Sequence, residues 1–285
     1  MKRILSALLC TLLLLGCSNP VSPLSGVTGW QLASEEKLEL CDGVSYLQQK
    51  YTDGDALPYM VYILLIDPQK ATLHTGTSNN NFELIPTEKQ NVQQQMEASR
   101  KDGLDVVAAV NGDFFAISTS YQPTGLCIKQ GKMISSNAQN RPYSAISKDG
   151  QYLISNGFRD TIDPASLEMA VGGSRVILTD GNIAEFEPTD DHANTIHPRT
   201  LAGEKADGTI ILAVIDGRQP AFSNGANLTQ CAELMRGLGA VNAINHDGGG
   251  SSTMILDREG QYEVRNSPSD GNLRKIYWSI QVVKK

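Results

Sequence analysis

Cysteine, histidine and long apolar runs are all scarce in this 285-residue chain, and each scarcity closes off a class of protein. Of the five cysteines, Cys10 and Cys17 sit in an N-terminal leader. The remaining three, Cys41, Cys127 and Cys231, allow at most one disulfide within the chain. Their spacing fits neither a zinc site nor a redox pair, so buried thiols are expected. With four histidines, a metal would have to be held mainly by carboxylates, as Mg²⁺ or Ca²⁺ is. The apolar run Ile4 to Leu15 is too short to span a bilayer. Basic residues are in deficit, 24 against 31 acidic ones, for a formal net charge of −7. That balance argues against nucleic acid or anionic lipid as a non-specific partner, and requires any bound anion to be held locally.

What is there begins with an export signal. Lys2 and Arg3 precede the apolar run, which ends in Leu14-Leu15-Gly16-Cys17 and resembles a bacterial lipobox. The expectation is a signal peptide over residues 1–16, a lipidated Cys17 and a flexible tether over residues 17–28, rich in Ser, Pro and Gly. The domain then occupies residues 29–285. This places the protein in the bacterial cell envelope, facing the periplasm or exterior and meeting the membrane through its lipid anchor alone. A simple cleaved signal would also export the chain.

Beyond the tether no repeat, low-complexity segment or linker breaks the chain. Strand-like runs appear at Met60 to Ile66, Leu104 to Val110, Arg175 to Thr179, Thr209 to Ile215, Ala240 to Asn245 and Lys275 to Val283. Turn signals punctuate them, among them Lys148-Asp149-Gly150, Thr179-Asp180-Gly181 and Ala206-Asp207-Gly208. One helix is expected from Thr87, with Gln90 at capping-box spacing, to Gly103. A second follows Asn227, with Gln230 three residues on and Leu228, Cys231, Leu234, Met235 and Leu238 at helical spacing before Gly239. These elements predict an α+β fold: a single domain with a twisted mixed β-sheet core and covering helices.

The segment Asn245-His246-Asp247-Gly248-Gly249-Gly250-Ser251-Ser252-Thr253 follows one of these strands. The helix after Asn227 joins strand 209–215 to strand 240–245, a crossover that makes two strands parallel and brings Asp216 and Asp247 out at one edge. A hairpin at Asp207-Gly208, pairing Gly203 with Thr209, sets Arg199 opposite about Ala213. A second at Asp257 to Gly260, pairing Leu256 with Gln261, sets Asn266 opposite Ser251. Arg199, Asp216, Arg218, Asp247, Ser251 and Asn266 then converge. Consecutive glycines let several N–H groups point into one concavity, a nest suited to phosphate, and Ser251, Ser252 and Thr253 add hydroxyl donors. Arg199 and Arg218 suit an anion, and two aspartates suit acid, base or nucleophile work at an anomeric carbon.

These residues resemble the phosphodiester glycosidase family. The resemblance rests on Val110-Asn111-Gly112-Asp113-Phe114-Phe115, Thr124-Gly125-Leu126, His197-Pro198-Arg199-Thr200, Val214-Ile215-Asp216-Gly217-Arg218, Ser223-Asn224-Gly225, Asp247 to Met254 and Asn266-Ser267-Pro268-Ser269. It covers about residue 104 to the C-terminus. It implies hydrolysis of a sugar-1-phosphodiester at the anomeric C–O bond, releasing a free sugar, N-acetylglucosamine-like, and a phosphomonoester. By the same resemblance Asp216, Asp247 and Arg199 are the catalytic set. Asn111, Gly112, Thr200, Arg218, Gly248, Gly249, Gly250, Ser251, Ser252 and Asn266 bind substrate. No cofactor is implied. The chain departs from the family at Asp113, where a second glycine is common and a turn-capping role is the favoured reading, and at His246, where an apolar residue is common and a structural hydrogen bond is expected. His197 is a weaker binding candidate. Two further readings stay open: a surface lipoprotein that binds glycans without cleaving them, and a phosphodiesterase in which Asp216 and Asp247 hold a divalent cation.

Overall fold

The computed structural model describes residues 26–115, 123, 125–136, 139–157 and 162–285. The expected signal peptide, Cys17, most of the tether and Thr124 lie outside the described residues. Gly26–Thr28, assigned by sequence to the tether, belongs to the domain. Val27 is buried in the same core as Trp30, and Thr28 donates through its amide and its hydroxyl to Glu233.

The architecture is predominantly β, which corrects the α+β expectation. Strands form one eight-stranded and two five-stranded sheets, and every pairing between them is antiparallel. Among the described residues the two longer helices have ten residues each, Val92–Lys101 and Leu228–Gly237. The expected parallel pairing fails for a specific reason. The crossover from strand Ile210–Ile215 to strand Ala240–Asn245 does return the chain in the same direction. Strand Arg199–Lys205, however, lies between the two and pairs antiparallel with both.

Period-2 alternation explains why the central strands read as unbroken apolar runs. In strand Pro58–Ile66, Met60, Tyr62, Leu64 and Ile66 enter one core while Tyr59, Val61 and Ile63 enter another. Ile210, Leu212 and Val214 divide in the same way from Ile211, Ala213 and Ile215. The first core packs the large sheet against the two smaller ones; the second packs it beneath the Leu228–Gly237 helix and Trp30. That helix starts as expected, with Asn227 and Gln230 forming a capping box. The other starts four residues later than expected: Asn91 and Gln94 make its capping box. Thr87 and Gln90 share the spacing, but Gln90 instead bridges to Asn79 and Ile276.

Both hairpin registers slip by two from the expected ones. Arg199 faces Ile215 rather than Ala213, and Leu256 faces Glu263 rather than Gln261. An even slip leaves every side chain on its expected face, so the convergence survives.

Candidate active site

Edges of all three sheets meet at one place. The large sheet supplies the start of Arg199–Lys205 and the ends of Ile210–Ile215 and Ala240–Asn245, hence Arg199, Asp216, Arg218 and Asp247. One small sheet supplies Asn111 and Gly112 at the end of Val106–Asn111. The other ends at Gly172, whose carbonyl accepts from His246 Nδ1 at 2.8 Å. Between them lies an open cleft of about 350 Å³, lined by Phe114, His192 and His197, by Arg199, Arg218 and Arg274, and by the Asp247–Gly250 segment.

Asp247 is the carboxyl group of this cleft. It is half-buried at the wall, yet protein crowds its carboxyl, and desolvation pushes its pKa up to about 7 against hydrogen bonds from Ser251 and the Gly248 amide. The charge of Asp113 pushes in the same direction, and Arg274 opposes it. Asp113 lies behind the cleft wall, its carboxyl enclosed by protein rather than lining the cleft. It is buried, paired with Arg141 at 3.1 Å and bonded by the Phe114 amide at 2.7 Å. Burial holds its pKa at about 6. Gly125 and Gly172 enclose it so closely that a Cβ on either would strike its Oδ2.

The predicted site residues divide into two shells. Arg199, Arg218, Asp247 and the three glycines line the cleft. Arg199 is 1% exposed and is anchored by the carbonyls of Ala226, His192 and Thr195. Arg218, in the left-handed region at φ +61°, reaches His197 Nδ1 at 3.3 Å. Asn111, Gly112, Thr200, Asp216, Ser251, Ser252 and Asn266 lie behind these residues and hold them. Asn111 donates to the Asp247 carbonyl at 2.7 Å and accepts from Thr200 Oγ1 and the Thr253 amide. The Gly112 carbonyl accepts from the Asp247 amide. Asp216 is buried, with Oδ1 accepting from Asn266 Nδ2 at 2.9 Å and Oδ2 from the Ser267 amide at 2.7 Å. Burial raises its pKa. Those bonds give Asp216 a positioning role, not one in the cleft.

Four amides of the glycine run and the serines after it are spent on groups of the protein itself. The amide of Gly248 is taken by the Asp247 carboxylate, that of Gly249 by the Pro198 carbonyl, and those of Ser251 and Ser252 by Gly248 and Gly249. The glycines are needed for close protein contacts. A Cβ on Gly248 would stand 2.5 Å from the Pro198 carbonyl oxygen. One on Gly249, whose φ is +59°, would stand 3.2 Å from the Arg218 guanidinium, and one on Gly250 would collide with Arg274 and Asp270. The groups lining the cleft that are suited to an anion are the guanidinium groups of Arg199, Arg218 and Arg274.

His246 is structural, bonded to Ser144 and the Gly172 carbonyl, with a pKa held near 4 by burial. His192, Arg141 and Arg274 escaped sequence reasoning. Arg274 bonds Asp270 and Ser251, and nothing in the spacing Asp270 to Arg274 distinguishes it from a surface ion pair.

A β fold thus brings a carboxyl of raised pKa and three guanidinium groups to a single cleft, groups whose chemistry suits an anion and proton transfer. The chain belongs to the phosphodiester glycosidase family, whose model matches residues 104–283. That span contains every residue of the cleft. The chain is 30% identical over 166 residues to N-acetylglucosamine-1-phosphodiester alpha-N-acetylglucosaminidase of Mus musculus, covering 52% of this chain and 31% of the mouse protein. It is 30% identical over 178 residues to the Bos taurus protein of the same name, covering 56% and 33%. It thus spans about a third of the length of these curated relatives. The fold is shared with the zebrafish enzyme's catalytic domain, described as auto-inhibited by its pro-peptide: TM-score 0.62, 22% identity, covering 89% of this chain and 87% of that one.

Proposed function

We propose that the protein hydrolyses a sugar-1-phosphodiester at the anomeric C–O bond, releasing a free, N-acetylglucosamine-like sugar and a phosphomonoester. The observation that carries this is the Asp247 carboxyl, poised near neutrality, on the wall it shares with Arg199, Arg218 and Arg274. The activity for which the mouse and bovine relatives are named supports it. Water adds to the anomeric carbon as the C–O bond breaks, and the bonding pair leaves on the phosphate oxygen. The arginines stabilise the charge that accumulates there, which lowers the demand for a strong acid. Asp247 handles the proton, and Asp113 behind it keeps its proton affinity high. The same reading places the domain in the cell envelope on a lipid carried by Cys17, with a sugar-phosphate or glycan as its partner.

Nothing in the geometry favours the glycan-binding reading over this one. The metal-dependent reading requires Asp216 and Asp247 to share an ion, whereas both Asp216 oxygens are engaged by Asn266 and Ser267. Turnover in ¹⁸O-water tests the assignment. Label is expected in the released sugar, with activity retained in chelator. Label in the phosphate would overturn the glycosidase reading, and no turnover with tight binding would leave the glycan binder.

A further inference from the structure

A second cleft adjoins the first. It has a volume of about 490 Å³ and its lining includes Gln139, Asn140, Arg141, Asn156, Ser174 and Arg175. The two share a wall. Ser174 Oγ, in the second, bonds His192 Nε2, in the first, at 3.0 Å. Arg141, in the second, lies over the Phe114 ring, in the first, at 5.1 Å.

The lining is selective in its chemistry. In a chain with net charge −7, no carboxylate among the described residues lines this cleft, while carboxamides, a hydroxyl and two guanidinium groups do. The acidic partners of the arginines orient them without lining the cleft: Asp113 holds Arg141, and Asp190 receives Nε and Nη2 of Arg175 at 3.3 and 3.0 Å. The wall is fixed by backbone packing. Asn140 takes a left-handed φ of +50°, a costly conformation for a residue with a side chain. Gly157 approaches so closely that a Cβ would stand 2.5 Å from the Asn140 carbonyl oxygen, and the Gly173 amide donates to the Pro142 carbonyl at 2.7 Å. Carboxamides and hydroxyls match sugar hydroxyls, and guanidinium groups match phosphate.

We propose that the second cleft is a subsite for the next repeat of the substrate, and that the substrate is an oligomer or polymer of sugar phosphates rather than an isolated phosphodiester. One phosphodiester lies beside Asp247 while its neighbour, carrying a further phosphate, lies against Arg141 and Arg175. This rests on the glycosidase reading of the first cleft.

Binding to the full chain carrying Asp247→Asn, measured by titration calorimetry, separates the two. The probes are a single sugar-1-phosphodiester and a short oligomer of the same repeat. The oligomer is expected to bind about tenfold more tightly, a difference of about 1.4 kcal/mol. Adding Gln139→Glu and Asn156→Asp, which place negative charge at two exposed positions of the second cleft, should abolish that advantage and leave the single-unit affinity unchanged. Equal affinity for both probes, or an oligomer advantage that survives the two substitutions, would overturn the subsite while leaving the glycosidase reading standing. If neither probe binds, the glycosidase reading fails and the subsite with it.

Discussion

Asp247 shows how much one residue's surroundings decide. An aspartate in water has released its proton well below pH 5; here, desolvation and the neighbouring Asp113 hold the pKa near 7. Between about pH 4 and pH 7 the folded protein binds a proton that the unfolded chain has lost, so stability falls as pH rises through that window and the cost is complete above it. Asp247→Asn removes the titration. The variant should melt higher than the wild type above about pH 7 and no higher at pH 4, while turnover falls by about 10²- to 10⁴-fold. Thermal melts and initial rates across pH check both halves, and a variant that melts lower at pH 8 would show the carboxylate to be a net structural asset. The glycines beside it carry a related lesson. Three in a row are legible as a backbone built for close approach, but the groups approached are Pro198, Arg218, Arg274 and Asp270. Composition cannot distinguish those from a ligand.

Strand ends and turns deliver the site, and this scale was the most legible in the sequence. The Asp207-Gly208 turn, the Asn227 cap and the apolar alternation placed Arg199, Asp216 and Asp247 at one edge, and the two-residue slips in register did not move them to another face. What the turns could not show is which way each side chain is spent. Asp216 leaves the end of its strand and turns into the protein, tying Asn266 and the Ser267 amide to the large sheet. Asn266 in turn accepts from the Met254 amide and donates to the Ser252 carbonyl, closing the strand that follows the glycine run. Asp216→Ala would remove an acceptor from the buried Asn266 carboxamide and from the partly buried Ser267 amide, so it should cost about 1–3 kcal/mol of stability along with activity. Urea unfolding measures this. An inactive variant with wild-type stability would instead return Asp216 to the chemistry.

At the scale of the whole molecule, the proposed export and anchoring rest on the N-terminal residues, and sheet assembly on the domain. Cys17→Ala should move the protein from the membrane fraction to the soluble one, read by fractionation and blotting; unchanged membrane association would sink the lipid anchor. By itself, the sequence determined elements with strong local signals, namely six of the eighteen strands among the described residues, the Leu228–Gly237 helix and the turn glycines. It also determined the motif blocks that mark the family, because spacing, capping and alternation are local properties. Only the tertiary structure decided that strand Arg199–Lys205 inserts between two strands joined by a helix, so that neighbours in the large sheet pair antiparallel there. Only it could bring His192 and Arg274 to the same cleft as Asp247, and set Arg141, held by the buried Asp113, in the cleft beside it. Their contacts arise from sheet edges distant in sequence, and the perturbed acidity of Asp247 depends on burial that no local pattern encodes.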